Sequence, residues 1–232
     1  MDLSVAEVAE RLGLSPGRVR QLAAAGRLPA QRVGRDWAVD AEALSYRALP
    51  VGRRFSPPRA WGALALLAGV DPVWLSASAR SQVRAVLRRL DDDDANHWSG
   101  LLSARSDVHR VSGHPAAVAR LASSDDLLPS GPPAAADAGL PLVAAESVPE
   151  RVGDEESWGR LRDALLLDEV APGQRVDAVV RVPRIPEALA LLRADPGFRT
   201  LSIAADLLDN SEPRSVSVGL AALLSARSEA LA

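Results

Sequence analysis

Residues 3–47 read LSVAEVAERLGLSPGRVRQLAAAGRLPAQRVGRDWAVDAEALSYR. Ser4 and Glu7 form an S-x-x-E capping box, which predicts a helix opening at about Val5. Val5, Val8, Ala9 and Leu12 then share one face at helical spacing. Gly13 suits a left-handed helix exit. Ser15 caps a second helix, with Pro16 at the first helical position, where its missing N–H costs nothing. Val19 and Leu22 turn this helix inward and leave Gly17, Arg18, Arg20 and Gln21 facing outward. Gly26 ends it. Arg32 to Val39 alternates around the turn residues Gly34 and Asp36 and reads as a two-stranded hairpin. Asp40 caps a third helix carrying Leu44. The whole is a helix-turn-helix with a wing, an order that lets the second helix enter a DNA major groove.

Charge divides along the chain. Residues 1–59 hold ten arginines against six acids, whereas the rest holds 17 arginines against 24 acids. A basic module on an acidic body fits phosphate contact by one part of the chain. All 27 basic residues are arginine, and there is no cysteine. Disulfides, thiolate metal sites and lysine nucleophiles are therefore excluded, and a reducing cytoplasm is the expected setting. No apolar run approaches the roughly 18 residues of a membrane span. Met1 is followed by a capped helix instead of a signal peptide.

The stretch SVAEVAERLGLSPGRVRQLAAAGRLPAQRVGRDWAVDAEAL resembles the excisionase and MerR-type winged helix-turn-helix family. The resemblance rests on the A-E-V-A-x-x-L-G-L-S opening, the x-G-x-L-P end of the second helix and the R-V-G-R-x-W wing. It implies groove contacts from Ser15, Gly17, Arg18 and Gln21, with Arg20 beside them. It implies wing contacts from Arg32, Arg35 and Trp37, although Trp37 reads better as a core plug beneath the wing than as a direct DNA contact. Pro50, Pro57 and Pro58 stand where a MerR regulator would continue into its coiled-coil helix.

Ala48 to Arg59 is a Pro-, Gly- and Arg-rich linker. Arg53, Arg54 and Arg59 in it are either further phosphate contacts or a solvated basic segment. Trp61, Leu64, Leu66 and Leu67 predict a helix stopped by Gly69. Ser76 or Ser78 caps another, with Val83, Val86, Leu87 and Leu90 inward and Arg80, Arg84, Arg88 and Arg89 outward. That arginine row is a solvated face, or else lies along DNA or an acidic partner. Asp91 to Asp94, four consecutive carboxylates, do not converge easily on a cation and read as a solvated loop.

Beyond Trp98 the pattern predicts a strand pair around Ser106, a helix from Pro115, a strand and turn at Leu127 to Gly131, and a small alanine helix closed by Gly139. Leu142 to Val148 reads as extended. A helix capped by Asp154 follows, then a strand at Val176 to Val182, a helix from Pro186, an extended run Leu201 to Ala204, and a final helix from Pro213. The fold class is α+β, with a winged helix-turn-helix at 1–49, a linker and helical connector at 50–95, and a mixed α+β domain at 96–232.

Phosphate-loop, dinucleotide, zincin and nucleophile-elbow motifs are all missing from the sequence, so no enzyme and no cofactor is expected. Asp206 reads as a helix-capping or buried structural carboxylate, with a catalytic acid as the alternative. The body, from RRFSPPRAWGALALLAGVDPVWLSASARSQVRAVLRRL to SIAADLLDNSEPRSVSVGLAALL, resembles actinobacterial AbiEi-type antitoxins. That resemblance implies a repressor of its own promoter, partnered with a nucleotidyltransferase-type toxin. The expected partner is double-stranded DNA at repeated sites, with oligomerisation on it and no membrane contact. The alternatives are a stand-alone transcription factor or excisionase-like architectural protein, and below these a nucleic-acid-processing enzyme.

Overall fold

The computed structural model describes residues 2–11, 16–24, 30–34, 36–40, 54–90, 94–143, 147–171, 174–210 and 212–231. The chain divides into two compact units, Met1–Val51 and Gly52–Ala232.

In the first unit, β1 (Asp2–Ser4) leads into α1 (Val5–Arg11), followed by α2 (Pro16–Ala24), β2 (Ala30–Val33) and β3 (Asp36–Asp40). The capping box forms as the sequence predicts. Ser4 N donates to Glu7 Oε2 at 2.8 Å, and Glu7 N donates to Ser4 Oγ at 3.3 Å. The expected hairpin is joined by a strand the sequence pattern did not announce. β1 pairs antiparallel with β3, Leu3 opposite Val39, giving the sheet order β1-β3-β2. Three residues carry too little periodicity to be read as a strand; pairing with β3 supplies the reason they extend. Leu3, Val5, Val8, Ala9, Val19 and Val39 close a small apolar core. The third helix expected from Asp40 onward, with Leu44, lies outside the described residues, as do Leu12 to Ser15 and Gly26.

The second unit is mixed α+β. Its elements are α3 (Pro57–Leu67), α4 (Ala77–Arg89), α5 (Ala95–Leu102), β4 (Ser106–Ser112), α6 (Pro115–Ala122), β5 (Leu128–Pro129), α7 (Gly131–Ala134), β6 (Glu150–Val152), α8 (Glu155–Leu165), β7 (Asp168–Glu169), β8 (Ala178–Pro183), α9 (Pro186–Ala194), α10 (Pro196–Leu207) and α11 (Pro213–Leu231). Five strands form one sheet in the order β5-β6-β8-β4-β7. β6 and β8 run parallel and every other pair is antiparallel.

Helices cover both faces of this sheet, and β8 shows why. Ala178, Val180 and Val182 pack with Leu121, Trp158 and Leu165 from α6 and α8. The larger core joins α3, α4, α5, α9, α10 and α11 through residues such as Trp61, Leu64, Leu87, Trp98, Phe198 and Leu207. The segment 50–95, expected as a connector, therefore contributes its helices to the body itself. Trp61 is buried against Phe198, with ring centroids 5.7 Å apart, and its Nε1 donates to the Arg105 carbonyl at 2.7 Å.

Several expected elements differ. Leu101 and Leu102 belong to α5, so only one strand, β4, follows. Asp94 caps α5 by accepting from Asn96 N and His97 N, which ends that helix's N-terminus before Trp98. Leu201 to Ala204 is helical, part of α10, because Asp195 caps at Phe198 N and Pro196 opens the turn. That helix is buried nearly all round, so its apolar run lacks the polar stripe that distinguishes a surface helix from a strand. Val86 is 37% exposed and not inward. β6 and β7, three and two residues long, are not announced by the sequence pattern.

Gly219 lets α11 approach α10 closely. A Cβ there would meet the Ala204 carbonyl oxygen at 2.4 Å and Leu207 Cβ at 2.9 Å.

Candidate nucleic-acid interface

α2 is built to present one face. Val19 and Ala23, four residues apart, are buried, whereas Pro16, Gly17 and Arg20 are exposed. Its first turn has no acidic residue to offset the positive end of the helix dipole. Gly17 on that turn adds no side chain that would hold a partner's backbone away. Arg18 and Gln21 also lie on α2; the positions of their side chains are outside the described residues.

The hairpin follows α2. Val33 and Asp36 pair across a two-residue loop, and Gly34 takes φ +62°, a conformation that disfavours any other residue. Arg32 is exposed and sits directly opposite Trp37 in the register. Trp37 is half-buried and packs against the core of the unit. Of the other residues the sequence singled out, Arg54 is exposed at the start of the second unit, while Ser15, Arg35 and Arg53 lie outside the described residues.

A second charged constellation lies inside the body, away from solvent. Arg105 Nη2 is 2.5 Å from Asp206 Oδ1 and 3.0 Å from Asp209 Oδ2. Arg181 Nη2 is 3.1 Å from Glu150 Oε2, and its Nη1 is 3.2 Å from Asp209 Oδ2. Ser130 Oγ donates to Asp206 Oδ2, and Ser99 Oγ donates to Asp209 Oδ1 at 3.1 Å. Burial works to lower the Arg181 pKa, but Asp206, Glu150 and Asp209 outweigh it and raise it further above its ordinary value. Asp209 shows the mirror case. Burial would push its carboxyl up, yet Arg105 and Arg181 hold it below the ordinary carboxylate range. Glu150 goes the other way, because its desolvation exceeds what Arg181 returns.

Every acidic oxygen of Asp206 is thus engaged by a guanidinium or a hydroxyl, the arrangement of a structural carboxylate. The network escaped sequence reading except at Asp206. Its signal was there in AVVRVP, where Arg181 interrupts an apolar strand: a charge at a buried position requires a partner elsewhere in the fold. Arg151, also buried, is used differently. It donates to the carbonyls of Leu121, Ala122 and Ser124 and so caps the C-terminal end of α6.

Residues 3–46 match the helix-turn-helix domain family. The first unit is therefore a helix-turn-helix domain, a DNA-binding module. Comparison of the chain with curated proteins and with solved structures returns no match. Among the described residues, no helix is long and apolar enough to cross a membrane.

Proposed function

We propose that this chain is a sequence-specific DNA-binding transcriptional regulator, and that it is the autorepressing antitoxin of a pair with a nucleotidyltransferase-type toxin. The observation that carries the first part is the helix-turn-helix match over residues 3–46, on a unit whose α2 leaves Gly17 and Arg20 exposed. In this reading α2 lies in the major groove. Arg18 reads guanine and Gln21 reads adenine through bidentate hydrogen bonds. Ser15, Gly17 and Arg20 meet the groove wall, and Arg32, Arg35, Arg53 and Arg54 hold phosphates, with Trp37 beneath the wing. One such module binds weakly, so copies occupy repeated sites on the protein's own promoter.

The antitoxin role is supported by the resemblance of the body to AbiEi-type antitoxins. The protein then works in the cytoplasm, carries no enzymatic activity of its own, and opposes the toxin through residues 96–232. A specific observation keeps the stand-alone regulator as a second reading: the family match ends at residue 46, before the body begins.

Footprinting the full chain on the DNA upstream of its own gene tests the regulator. A protected, repeated site whose occupancy falls steeply with added salt is expected, and no protection at low salt refutes it. Co-expression with the product of a neighbouring nucleotidyltransferase gene separates the two readings. Restored growth supports the antitoxin, and unrelieved toxicity leaves the stand-alone regulator.

A further inference from the structure

The boundary between basic and acidic sequence does not fall where the helix-turn-helix ends. Residues 54–90 hold six arginines and a single acid, Asp71, whereas residues 91–232 hold 13 arginines against 23 acids. The basic stretch thus runs on into the body and stops at the end of α4.

α4 concentrates that charge outward. Val83 and Leu87 are buried in the body core, and the rest of the helix faces away from it or along its edges. Arg84, Arg88 and Arg89 are exposed and, among the described residues, make no ion pair. Arg84 and Arg88 stand four residues apart on one flank, about 6 Å along the axis. Gln82, hydrogen-bonded to Arg59 at 2.6 Å, marks the other flank together with Arg89. Between the flanks lie Ser78, Ser81 and Ala85, too small to keep a partner's backbone at a distance. α4 carries no acidic residue. Only Arg80 is neutralised, by Asp71 at 2.5 Å.

Resting on the regulator reading, we infer that the outer face of α4 is a second DNA contact, one that grips the phosphate backbone of the duplex without reading its sequence. Duplex DNA is the occupant the charge fits, and the chain itself brings it there. The helix-turn-helix ends its described part at Asp40 and the body resumes at Arg54. Fewer than fifteen covalent links cannot span more than roughly 50 Å, so DNA held by α2 stays within reach of α4 at high effective concentration. Arginines suit this role because the guanidinium fork matches phosphate oxygens.

The test uses the full chain, a duplex of arbitrary sequence, and the triple variant Arg84→Ala, Arg88→Ala, Arg89→Ala. Three lost phosphate contacts should reduce the slope of log affinity against log salt by about 2 to 3. Preference among sequences should stay as it was. A control variant, Arg120→Ala, Arg175→Ala, Arg214→Ala, removes three exposed arginines elsewhere and should leave the slope unchanged. The pair Arg84→Gln, Arg88→Gln gives the same reading, with a slope change of about 2, should the triple variant fold poorly. An unchanged slope beside clear wild-type binding overturns the α4 contact and spares the regulator. Loss of polyglutamate binding with an unchanged DNA slope also overturns it and assigns the face to an acidic protein. No wild-type binding at low salt overturns both.

Discussion

Arg181 Nε on β8 lies 3.2 Å from Asp206 Oδ1 on α10, with the two side chains only 5% and 2% exposed. The pair joins the central sheet to the helical layer at the point where the sheet's own apolar alternation is broken. Burying two arginines and three carboxylates is expensive, and the arrangement holds only because each charge has its opposite at hand.

Removing one member should therefore be severe. Asp206→Ala leaves Arg105 and Arg181 facing each other with fewer counter-charges, and a loss of about 3–5 kcal/mol is expected. Denaturant unfolding of the second unit measures it. A change below about 1 kcal/mol, the range of exposed pairs, contradicts the network's structural role.

The same network gives the body a pH dependence with two signs. Asp209, held low by Arg105 and Arg181 against its burial, contributes stability that is present above the unfolded carboxyl value of about 3.9. That contribution is lost as pH falls through its lower folded value. Asp154, held low first by the Ser157 N–H, and Asp107, held low by Arg184, act in the same direction. Glu150 is raised by burial, so its contribution is complete below about 4.3 and is lost as pH rises through the raised value. Melting temperature followed from neutral pH into acid should show a shallower acid limb in Asp209→Asn. Glu150→Gln should instead flatten the decline toward higher pH. Unchanged profiles in both variants would count against these assignments.

Much of this fold was legible, and the misses share causes. Helix starts announced themselves through side-chain caps that then formed: Ser4, Ser76 and Asp154 each accept from a backbone N–H of the first turn. The hairpin was legible from Gly34. What failed was periodicity where burial is complete, as in α10, and length where strands are very short, as in β1, β6 and β7. Those strands exist because of partners distant in the chain, such as Glu150 opposite Val179, and nothing local announces them. The same holds for the ion network, whose five charged residues come from distant parts of the chain. On α2, a local structure, the exposure of Gly17 and Arg20 and the burial of Val19 follow from spacing alone.

Within the helix-turn-helix domain, Ser4→Ala should cost about 1 kcal/mol, the usual worth of an N-cap side chain. Ser4 Oγ also donates to Glu7 Oε2 at 2.7 Å, so Glu7→Ala should lose a similar share. Because the two act on each other, the double variant should cost less than the sum of the singles. Strict additivity would show that the box is not reciprocal in solution.

Specific and non-specific contacts should separate by mutation. Arg18→Ala is expected to lose about 1–3 kcal/mol of discrimination at one base pair. Arg32→Ala should weaken binding to all sequences alike and lower the salt slope by about 1. Competition titrations against single-base operator variants, repeated at two salt concentrations, distinguish them. A uniform loss from Arg18→Ala would move that residue from base to backbone.

Gly219 offers a packing test with no charge involved. Gly219→Ala drives a methyl into the Ala204 carbonyl, which belongs to a helix backbone and cannot swing aside. A loss of about 1–3 kcal/mol is expected, as for other overpacked sites. Gly159→Ala, where a Cβ meets nothing within 4 Å, should be neutral or slightly stabilising and serves as its control.

The chain's division at Val51 has an evolutionary reading. Each unit encloses an apolar core of its own, one around Val8, Val19 and Val39, the other around Trp61, Trp98 and Phe198. A recombination joint in this stretch would exchange one helix-turn-helix for another without cutting through either core. Lineages carrying the same body could in this way be redirected to new DNA sites by a single crossover.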